Sequence, residues 1–277
     1  MGMKDMAIAF IGGGNMARSL AGGLVADGMP AARLHVAEPD PERGKALARE
    51  LGVTVTPDNT AAAAEAQVVV LAVKPHVMPG VARQLAPALA GGETLVVSVA
   101  AGIRSADLAR WLGAGVPVIR AMPNTPALIG CGATVLCAAP GVSEAQREQA
   151  ESILRAVGSV SWVDDETQMD AVTALSGSGP AYFFLLAEAM ADAAAAQGLS
   201  PELARLLAVE TALGAARVAV ESEEEIDALR RRVTSPGGTT EAAVHALEDG
   251  GFRQLVATAL AAAQARSREL AEQFGKE

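Results

Sequence analysis

Short apolar segments alternate with helical patterns along the first part of the chain, and this alternation restricts the fold more than any other feature of the sequence. The segments that predict strands are AIAFI (7–11), LHVAE (34–38), VTV (53–55), QVVVLAV (67–73), TLVVSVAAG (94–102), VPVIRAMPN (116–124), GATVLCAA (132–139) and SVSWV (159–163). The unbroken apolar run at 67–73 is typical of a parallel strand that is covered on both faces. The chain therefore predicts an α/β fold with a doubly wound sheet.

A different pattern follows Asp164, where no convincing strand remains. Helical segments cover roughly residues 166–175, 180–197, 201–220, 223–233, 239–249 and 252–274. We therefore place the domain boundary there, with residues 1–164 forming the sheet domain and residues 165–277 forming an all-helical domain. A helical domain that is rich in small residues suits a substrate-binding lid, an oligomer interface, or both.

The charge of the chain restricts its partners. A formal net charge of −10 argues against a nucleic-acid-binding protein, which would usually carry a basic patch, and against an anionic membrane surface as a partner. The apolar run AYFFLLAEAMADAAAA is interrupted by Glu188 and Asp192, so no membrane span is expected. No signal peptide is recognised, and we expect a cytoplasmic protein.

The sequence does not predict a metal site. The two cysteines, Cys131 and Cys137, show no metal-ligand spacing, and we expect them to be buried free thiols. The three histidines are scattered along the chain, so they do not form a local ligand set either.

The loop IGGGNMA contains the pattern Gly12-x-Gly14-x-x-Ala17 between the first predicted strand and the first predicted helix. In this context Gly12 permits a tight turn, Gly14 lets the backbone approach a pyrophosphate, and Ala17 keeps the helix close to the strand. The helix start then offers free N–H groups and a partial positive charge to an anion. The loop indicates a Rossmann-like dinucleotide-binding domain, with a ligand-free strand-to-helix turn as the weaker alternative.

The choice between NADH and NADPH stays open. Glu38 lies at the end of the second predicted strand, where an acid usually bonds the ribose 2′-hydroxyl and repels a 2′-phosphate, which favours NADH. Arg43, on the helix that follows, could still reach a 2′-phosphate.

Further candidate loops follow the later strands, because ligands in such sheets lie outside the carboxyl ends of the strands. These loops contain AVKP (72–75), SVAAG (98–102) and AMPNTP (121–126). Lys74 is one of four lysines and could be catalytic. We favour the alternative that it belongs to a loop whose backbone lies beside the cofactor.

With these motifs, together with ALSGSGPAYFF (174–184) and VTSPGGTTEAAVHALEDGGFR (233–253), the whole chain resembles the pyrroline-5-carboxylate reductase family. The resemblance implies an NAD(P)H-dependent reduction of 1-pyrroline-5-carboxylate to L-proline, the last step of proline biosynthesis. It implies cofactor contacts at Gly12, Gly14, Asn15, Met16, Ala17, Asn59, Ala72, Val73, Lys74, Pro75, Val99, Ala100 and Ala101. Many bacterial relatives carry an arginine shortly after the second strand, whereas this chain continues as AEPDPER.

The resemblance also implies an assembly. The helical domain would form at least a homodimer, and five dimers would form a decameric ring. The substrate site would then be shared, with the cofactor held by one subunit and the SPGGTT stretch supplied by its partner.

The substrate that the resemblance implies is a small cyclic imine with a carboxylate. The SPGGTT stretch suits this carboxylate, because the helix that follows points its positive end towards Gly237 and Gly238. The resemblance assigns Thr240 as the donor to the ring nitrogen. It assigns substrate contacts to Glu223, Ser235, Gly238, Thr239 and Thr240. Without the resemblance, an ordinary helix N-cap would be the favoured interpretation.

Two other kinds of protein share part of this pattern. The β-hydroxyacid dehydrogenases join the same kind of domain to a helical one but use a lysine after a glycine-rich turn, and residues 75–275 contain no lysine. A non-catalytic dinucleotide sensor would keep IGGGNMA but would not need SPGGTT.

Overall fold

The computed structural model describes residues 3–276, and in it the eight predicted strands form a single sheet. The strands are β1 (Ile8–Ile11), β2 (Leu34–Ala37), β3 (Thr54–Thr56), β4 (Val68–Leu71), β5 (Leu95–Ser98), β6 (Val118–Met122), β7 (Gly132–Ala138) and β8 (Gly158–Trp162). Their order in the sheet is β3-β2-β1-β4-β5-β6-β7-β8. The predicted doubly wound α/β fold is therefore confirmed.

Strand direction changes once across the sheet. All neighbouring pairs from β3 to β6 are parallel, β7 runs antiparallel to β6, and β8 is parallel to β7. The strand order reverses between β1 and β4, so the loops after these two strands diverge and leave a crevice at the carboxyl edge of the sheet.

Helices cover both faces of the sheet and make up the region after β8. The helices are α1 (Asn15–Ala26), α2 (Pro41–Leu51), α3 (Asn59–Ala63), α4 (Met78–Leu89), α5 (Ser105–Leu112), α6 (Glu144–Arg155), α7 (Met169–Val172), α8 (Gly179–Ala196), α9 (Pro201–Glu221), α10 (Ile226–Arg232), α11 (Thr239–Asp249) and α12 (Phe252–Gly275). Their starts follow local sequence rules. Ser143 and Gln146 form the capping box of α6, and Asp40 caps α2 with Pro41 in the first turn.

The core has one layer on each face of the sheet, because alternate residues of each strand point to opposite faces. Ile8 and Phe10 of β1 pack with α1 and α6, whereas Ala9 and Ile11 pack with α3, α4 and α5. All four of these side chains are fully buried. Burial on both faces explains why the central strands consist of apolar residues without a polar alternation.

An ion pair ties the segment after β8 to the sheet. Nη1 of Arg120, on β6, lies 2.7 Å from Oε1 of Glu166, which also accepts hydrogen bonds from the N–H and the hydroxyl of Ser105. Burial raises the pKa of Glu166, but the bonds from Ser105 and Arg120 outweigh this effect and hold the pKa below its usual value.

Contacts divide the described chain into two compact units. The first contains the residues up to Ser178 together with those from Ala263 onward, and the second extends from Gly179 to Ala262. The boundary placed after residue 164 stays a prediction about where the helical domain begins in the sequence. Of the helices described, none combines the length and the apolarity that crossing a bilayer requires.

The second unit exposes many large apolar side chains of α8 and α9. Phe183 and Phe184 are 69% and 71% exposed, and Leu185 and Leu213 are also more than half exposed. Continuous exposed apolar surfaces of this kind mark interfaces with other molecules.

Three features of the fold were not predicted. The helices α3 and α5 lie in segments for which no helix was predicted, and Thr173–Gly177 forms a π-helical turn. The prediction that both cysteines are buried is wrong for Cys131, which is exposed, whereas Cys137 is buried. Burial raises the pKa of the Cys137 thiol.

Candidate active site

Except for Asn59, the predicted cofactor residues of the first unit follow three strands that are adjacent in the sheet. The loop that contains Gly12 follows β1, the loop 72–75 follows β4, and the turn 99–101 follows β5. Backbone hydrogen bonds join these loops, because the N–H of Ala72 donates to the carbonyl of Ile11 and the N–H of Val99 donates to the carbonyl of Leu71. The sheet therefore brings these three predicted segments to one edge.

The glycine turn is closely packed at its first two positions. Gly12 has φ +97°, and a Cβ added there would lie 2.9 Å from the carbonyl oxygen of Ala72. A Cβ on Gly13 would lie 2.7 Å from Cδ1 of Leu47. The positive φ and the adjacent backbone require glycine at Gly12, whereas a side chain at Gly13 would have to displace Leu47 and Glu38.

The third glycine has a different environment. A Cβ added to Gly14 would meet no heavy atom within 4 Å, and Gly14 is the N-cap of α1 without any side-chain cap. The first N–H groups of a helix have no partner within the helix, and they attract anions. An open backbone position at a helix start without a side-chain cap fits the pyrophosphate of a dinucleotide.

The side chain of Glu38 is turned inward, towards the glycine turn. Its side chain is 3% exposed, and its Oε2 accepts a 3.0 Å hydrogen bond from the N–H of Gly13. Its Oε1 accepts a 2.9 Å hydrogen bond from the N–H of Asp40, and Nη1 of Arg43 lies 3.1 Å from Oε2. Glu38 thus holds the glycine turn and the start of α2 together.

Asp40 and Arg43 complete this corner of the site. Hydrogen bonds from the backbone N–H groups of Arg43 and Glu42 hold the pKa of Asp40 below its usual value, so the cap is ionised at neutral pH. The Arg43 side chain is 55% exposed, in contrast to the enclosed carboxylate that it contacts.

The remaining predicted cofactor residues have mixed environments. Asn59 is the first residue of α3, and its Nδ2 donates to Oε1 of Gln84 at 2.8 Å. Lys74 is exposed and precedes a short 3₁₀ turn that begins with Pro75. Ala100 is buried at the end of β5, and its N–H donates to Oγ of Ser98.

The second unit contains the predicted substrate residues, in the turn before α11. Gly237 has φ +70°, and the N–H of Gly238 donates to the carbonyl of Ser235. Gly238 is the N-cap of α11 without a side-chain cap, which leaves Thr239 and Thr240 in its first turn. Oε2 of Glu241 reaches back to the N–H of Gly237 at 2.8 Å.

Most of these residues face solvent within the chain. Ser235, Thr239 and Thr240 are exposed, and Glu223 is exposed in the segment between α9 and α10. The second unit by itself therefore presents this helix start as an open surface. Among residues 3–276, no three His, Cys, Asp or Glu side chains are grouped as metal ligands.

Comparison with known proteins decides the family. The sequence profile described as "Pyrroline-5-carboxylate reductase dimerisation" matches residues 166–270, and the profile described as "NADP oxidoreductase coenzyme F420-dependent" matches residues 7–102. The pyrroline-5-carboxylate reductase of Pseudomonas aeruginosa is 56% identical to this chain over 274 residues, which cover 99% of this chain and 100% of that protein. The chain belongs to the pyrroline-5-carboxylate reductase family.

Solved structures of the family have the same fold. A pyrroline-5-carboxylate reductase from Coxiella burnetii superimposes with a TM-score of 0.93 at 47% identity, covering 96% of this chain and 98% of that chain. The pyrroline carboxylate reductase of Plasmodium falciparum, solved with NADP bound, superimposes with a TM-score of 0.86 at 28% identity, covering 98% of this chain and 100% of that chain.

Membership in the pyrroline-5-carboxylate reductase family confirms the predicted activity class, an NAD(P)H-dependent oxidoreductase with a small-molecule substrate. It also decides against the β-hydroxyacid dehydrogenases. The match to a dimerisation domain supports oligomerisation through the helical region, in agreement with the exposed apolar side chains of α8 and α9.

Two contacts near the site were missed by sequence reasoning. The pattern around Gly13 gave no sign that its N–H is bound by Glu38. The side chain of Asn124, in the loop after β6, accepts from the N–H of Ala133 and donates to the carbonyl of Ser176. Only the position of Asn124 at the end of a parallel strand could have indicated such a role.

Proposed function

We propose that two helix starts form the two halves of a site that reduces 1-pyrroline-5-carboxylate to L-proline. One half is the glycine turn before α1, which would hold the pyrophosphate of NADPH or NADH. The other half is the turn before α11, which would hold the substrate carboxylate. The observation that carries the proposal is that both helices start at a glycine N-cap without a side-chain cap, Gly14 and Gly238.

The predicted cofactor residues would hold the dinucleotide along the carboxyl edge of the sheet. The backbone of Asn15, Met16 and Ala17 would face the pyrophosphate, and the loop 72–75 and the turn 99–101 would hold the nicotinamide half. When bound, the reduced nicotinamide supplies the hydride. The main task of the protein is to orient donor and acceptor, which can contribute a large part of the rate enhancement.

The substrate residues would bind the imine and assist its protonation. The backbone N–H groups after Gly238 would bind the carboxylate, with Ser235, Thr239 and Glu223 as further contacts. The hydroxyl of Thr240 would donate a hydrogen bond to the ring nitrogen, which becomes an amine nitrogen as the imine carbon gains the hydride. A donor at this atom favours the reaction because a protonated imine is the better electrophile.

The proposed assembly makes this site a shared one. The helical region would form a homodimer in which the turn before α11 of one subunit faces the cofactor of its partner, and five dimers would form a decamer in the cytoplasm. The exposed apolar residues of α8 and α9 support a dimer interface in this part of the chain.

The direct test is a steady-state assay of the purified chain with 1-pyrroline-5-carboxylate and each reduced cofactor. We expect oxidation of the cofactor that depends on the imine and yields proline in equal amount. Oxidation without proline, or cofactor binding without turnover, would contradict the proposal and favour a dinucleotide sensor.

A further inference from the structure

Glu38, the acid at the end of β2, makes hydrogen bonds that an acid selecting NADH over NADPH would not make. An acid that selects NADH has to present its carboxylate to the ribose, where it bonds the 2′-hydroxyl and repels a 2′-phosphate. The carboxylate of Glu38 is instead enclosed, with the N–H groups of Gly13 and Asp40 bonded at 3.0 and 2.9 Å. Its orientation is set by the protein itself.

Glu38 also lies directly against the glycine turn. A Cβ on Gly13 would lie 2.9 Å from Oε2 and 3.0 Å from the Cβ of Glu38. The carboxylate is therefore in close contact with the middle of the glycine turn. Turning it outward would break two backbone hydrogen bonds and leave the N–H of Gly13 buried without a partner, which is costly.

The charge of Glu38 is also compensated. Nη1 of Arg43 lies 3.1 Å from Oε2, so the pair carries no net charge, and only the guanidinium is substantially exposed. A guanidinium has five N–H donors, and the bond to Glu38 needs one of them. Arg43 therefore presents a cation with donors to spare, which is suited to a phosphate. Its Nη2 also lies 3.9 Å from Oδ2 of Asp40, whose side chain is 49% exposed.

A groove lies at the same corner, lined by Glu38 and not by Arg43. It has a volume of about 310 Å³, and its other lining residues include Pro39, Gly44, Lys45 and Val55. Lys45 adds a second cation, although it is paired with Glu42 at 2.9 Å. The groove adjoins the end of β2, where the adenosine half of a dinucleotide lies in this fold.

We infer that Arg43, and not Glu38, determines how the chain distinguishes NADPH from NADH. Arg43 binds the 2′-phosphate of NADPH, and Glu38 is a positioning residue that fixes the glycine turn and Arg43. This inference rests on the proposed function for the cofactor half of the site, and it is independent of the substrate half.

The test is to measure the dissociation constants of NADPH and NADH by the fluorescence of the reduced nicotinamide, without the imine. Arg43→Gln is expected to weaken NADPH binding about tenfold or more while NADH binding changes by less than about threefold, since a charge-assisted hydrogen bond to phosphate is lost. Raising the salt concentration is expected to weaken NADPH binding more than NADH binding in the wild type, and to affect both equally in Arg43→Gln. Arg49→Gln, on the same helix and also exposed, is the matched control and should change neither constant.

Glu38→Gln separates the two roles. An amide cannot accept from all three donors, so we expect both cofactors to bind more weakly by a similar factor, with an unchanged ratio. A tenfold shift of the ratio towards NADPH in Glu38→Gln would show that Glu38 is the discriminating acid and would overturn the inference. An equal effect of Arg43→Gln on both cofactors would overturn it as well.

Three further outcomes keep the test decisive. If Glu38→Gln does not fold, Arg43→Lys still tests the inference, because it keeps the charge without the fork and should lose part of the NADPH preference. If the predicted binding ratios are found but the imine is not reduced, the inference stands and the substrate assignment fails. If neither cofactor binds to the wild type, both fail.

Discussion

The glycine turn before α1 and the turn before α11 both end in a glycine N-cap, but the first is packed within its unit and the second is exposed. Both helices start at a glycine without a side-chain cap, whereas α2, α3, α6 and α9 are capped by Asp40, Asp58, Ser143 and Ser200. The first turn is fixed, because the N–H of Gly12 donates to the carbonyl of Ala37 and Glu38 binds the N–H of Gly13. The second turn is exposed, and α11 has no buried residue within the chain.

The difference indicates how much of each half one subunit completes by itself. The cofactor half is fixed within the first unit, with its glycines packed against the loop after β4 and against α2. The substrate half offers donors on an open surface and needs further protein around it to exclude water. This is what the proposed site between two subunits requires.

The largest expected effect comes from filling the open space at Gly14, in the glycine turn before α1. Gly14→Val should weaken the binding of both cofactors more than a hundredfold (about 2.7 kcal/mol), because the side chain would occupy the space into which the pyrophosphate must come. The fold should survive, since Gly14 has φ −71° and ψ −176°, which valine adopts readily. Fluorescence titration with reduced cofactor gives the affinity.

The matched control for this variant is Gly80→Val. Gly80 lies on α4, is exposed, and likewise has no heavy atom within 4 Å of an added Cβ. It should leave affinity unchanged. Unchanged affinity in Gly14→Val would show that the glycine turn does not hold the cofactor.

The role of the turn before α11 is tested by removing the hydroxyl of Thr240. Thr240→Val should lower kcat about a hundredfold, near the lower end of the range for acid–base assistance, because water can replace the donor in part. Valine matches the shape of threonine and has a similar helix propensity, so the start of α11 should be kept. Steady-state kinetics with saturating cofactor measures the effect, and cofactor affinity should not change.

Thr239→Val is the control for Thr240, one position earlier in the same turn. It should have the smaller effect if Thr239 acts through its backbone. A normal kcat in Thr240→Val with a low kcat in Thr239→Val would assign the donor to the other threonine. Normal rates in both variants would leave the turn with no role beyond starting the helix.

The smallest expected effect is a difference in stability between equivalent glycine substitutions in the two turns. Gly13→Ala should lower the free energy of unfolding by about 2 kcal/mol, because the new methyl group would press on Leu47 and Glu38. Gly237→Ala should cost about 1 kcal/mol, since its space is open and only the positive φ is unfavourable. Denaturant unfolding at one fixed protein concentration compares them, and equal costs would contradict the contrast between a fixed and an open turn.

The fold could be predicted from the sequence wherever local pattern and tertiary environment agree. The buried run in β4 and the capping residue Ser143 are such cases. The reversal of β7 could not be predicted in this way, because a short apolar strand carries no sign of its direction. The π-helical turn at Thr173–Gly177 lies in close contact with β6, where a Cβ on Gly177 would lie 2.2 Å from Cε of Met122, and this contact forms only in the fold.

In the candidate site, too, some features could be predicted from the sequence and others could not. The glycines of the turn before α1 were recognised because their spacing matches what the backbone of a dinucleotide-binding turn needs. The inward orientation of Glu38 was not, because it depends on three donors from Gly13, Asp40 and Arg43 that come together only in the fold. The role of the turn before α11 could be proposed only through family resemblance, since its residues are equally suited to an ordinary helix start.

The central claim is that the site joins the first turn of one subunit to the second turn of another. Its most direct test is to unfold and refold a mixture of Gly14→Val and Thr240→Val subunits in equal amounts, with the wild type treated in the same way. A mixed dimer would contain one site with both defects and one site with none, because a two-fold interface pairs each turn with that of the other subunit. Random pairing then predicts recovery of about a quarter of the refolded wild-type activity. Activity that stays at the level of the two separate variants would contradict the account, because it would place both turns of each site in the same subunit.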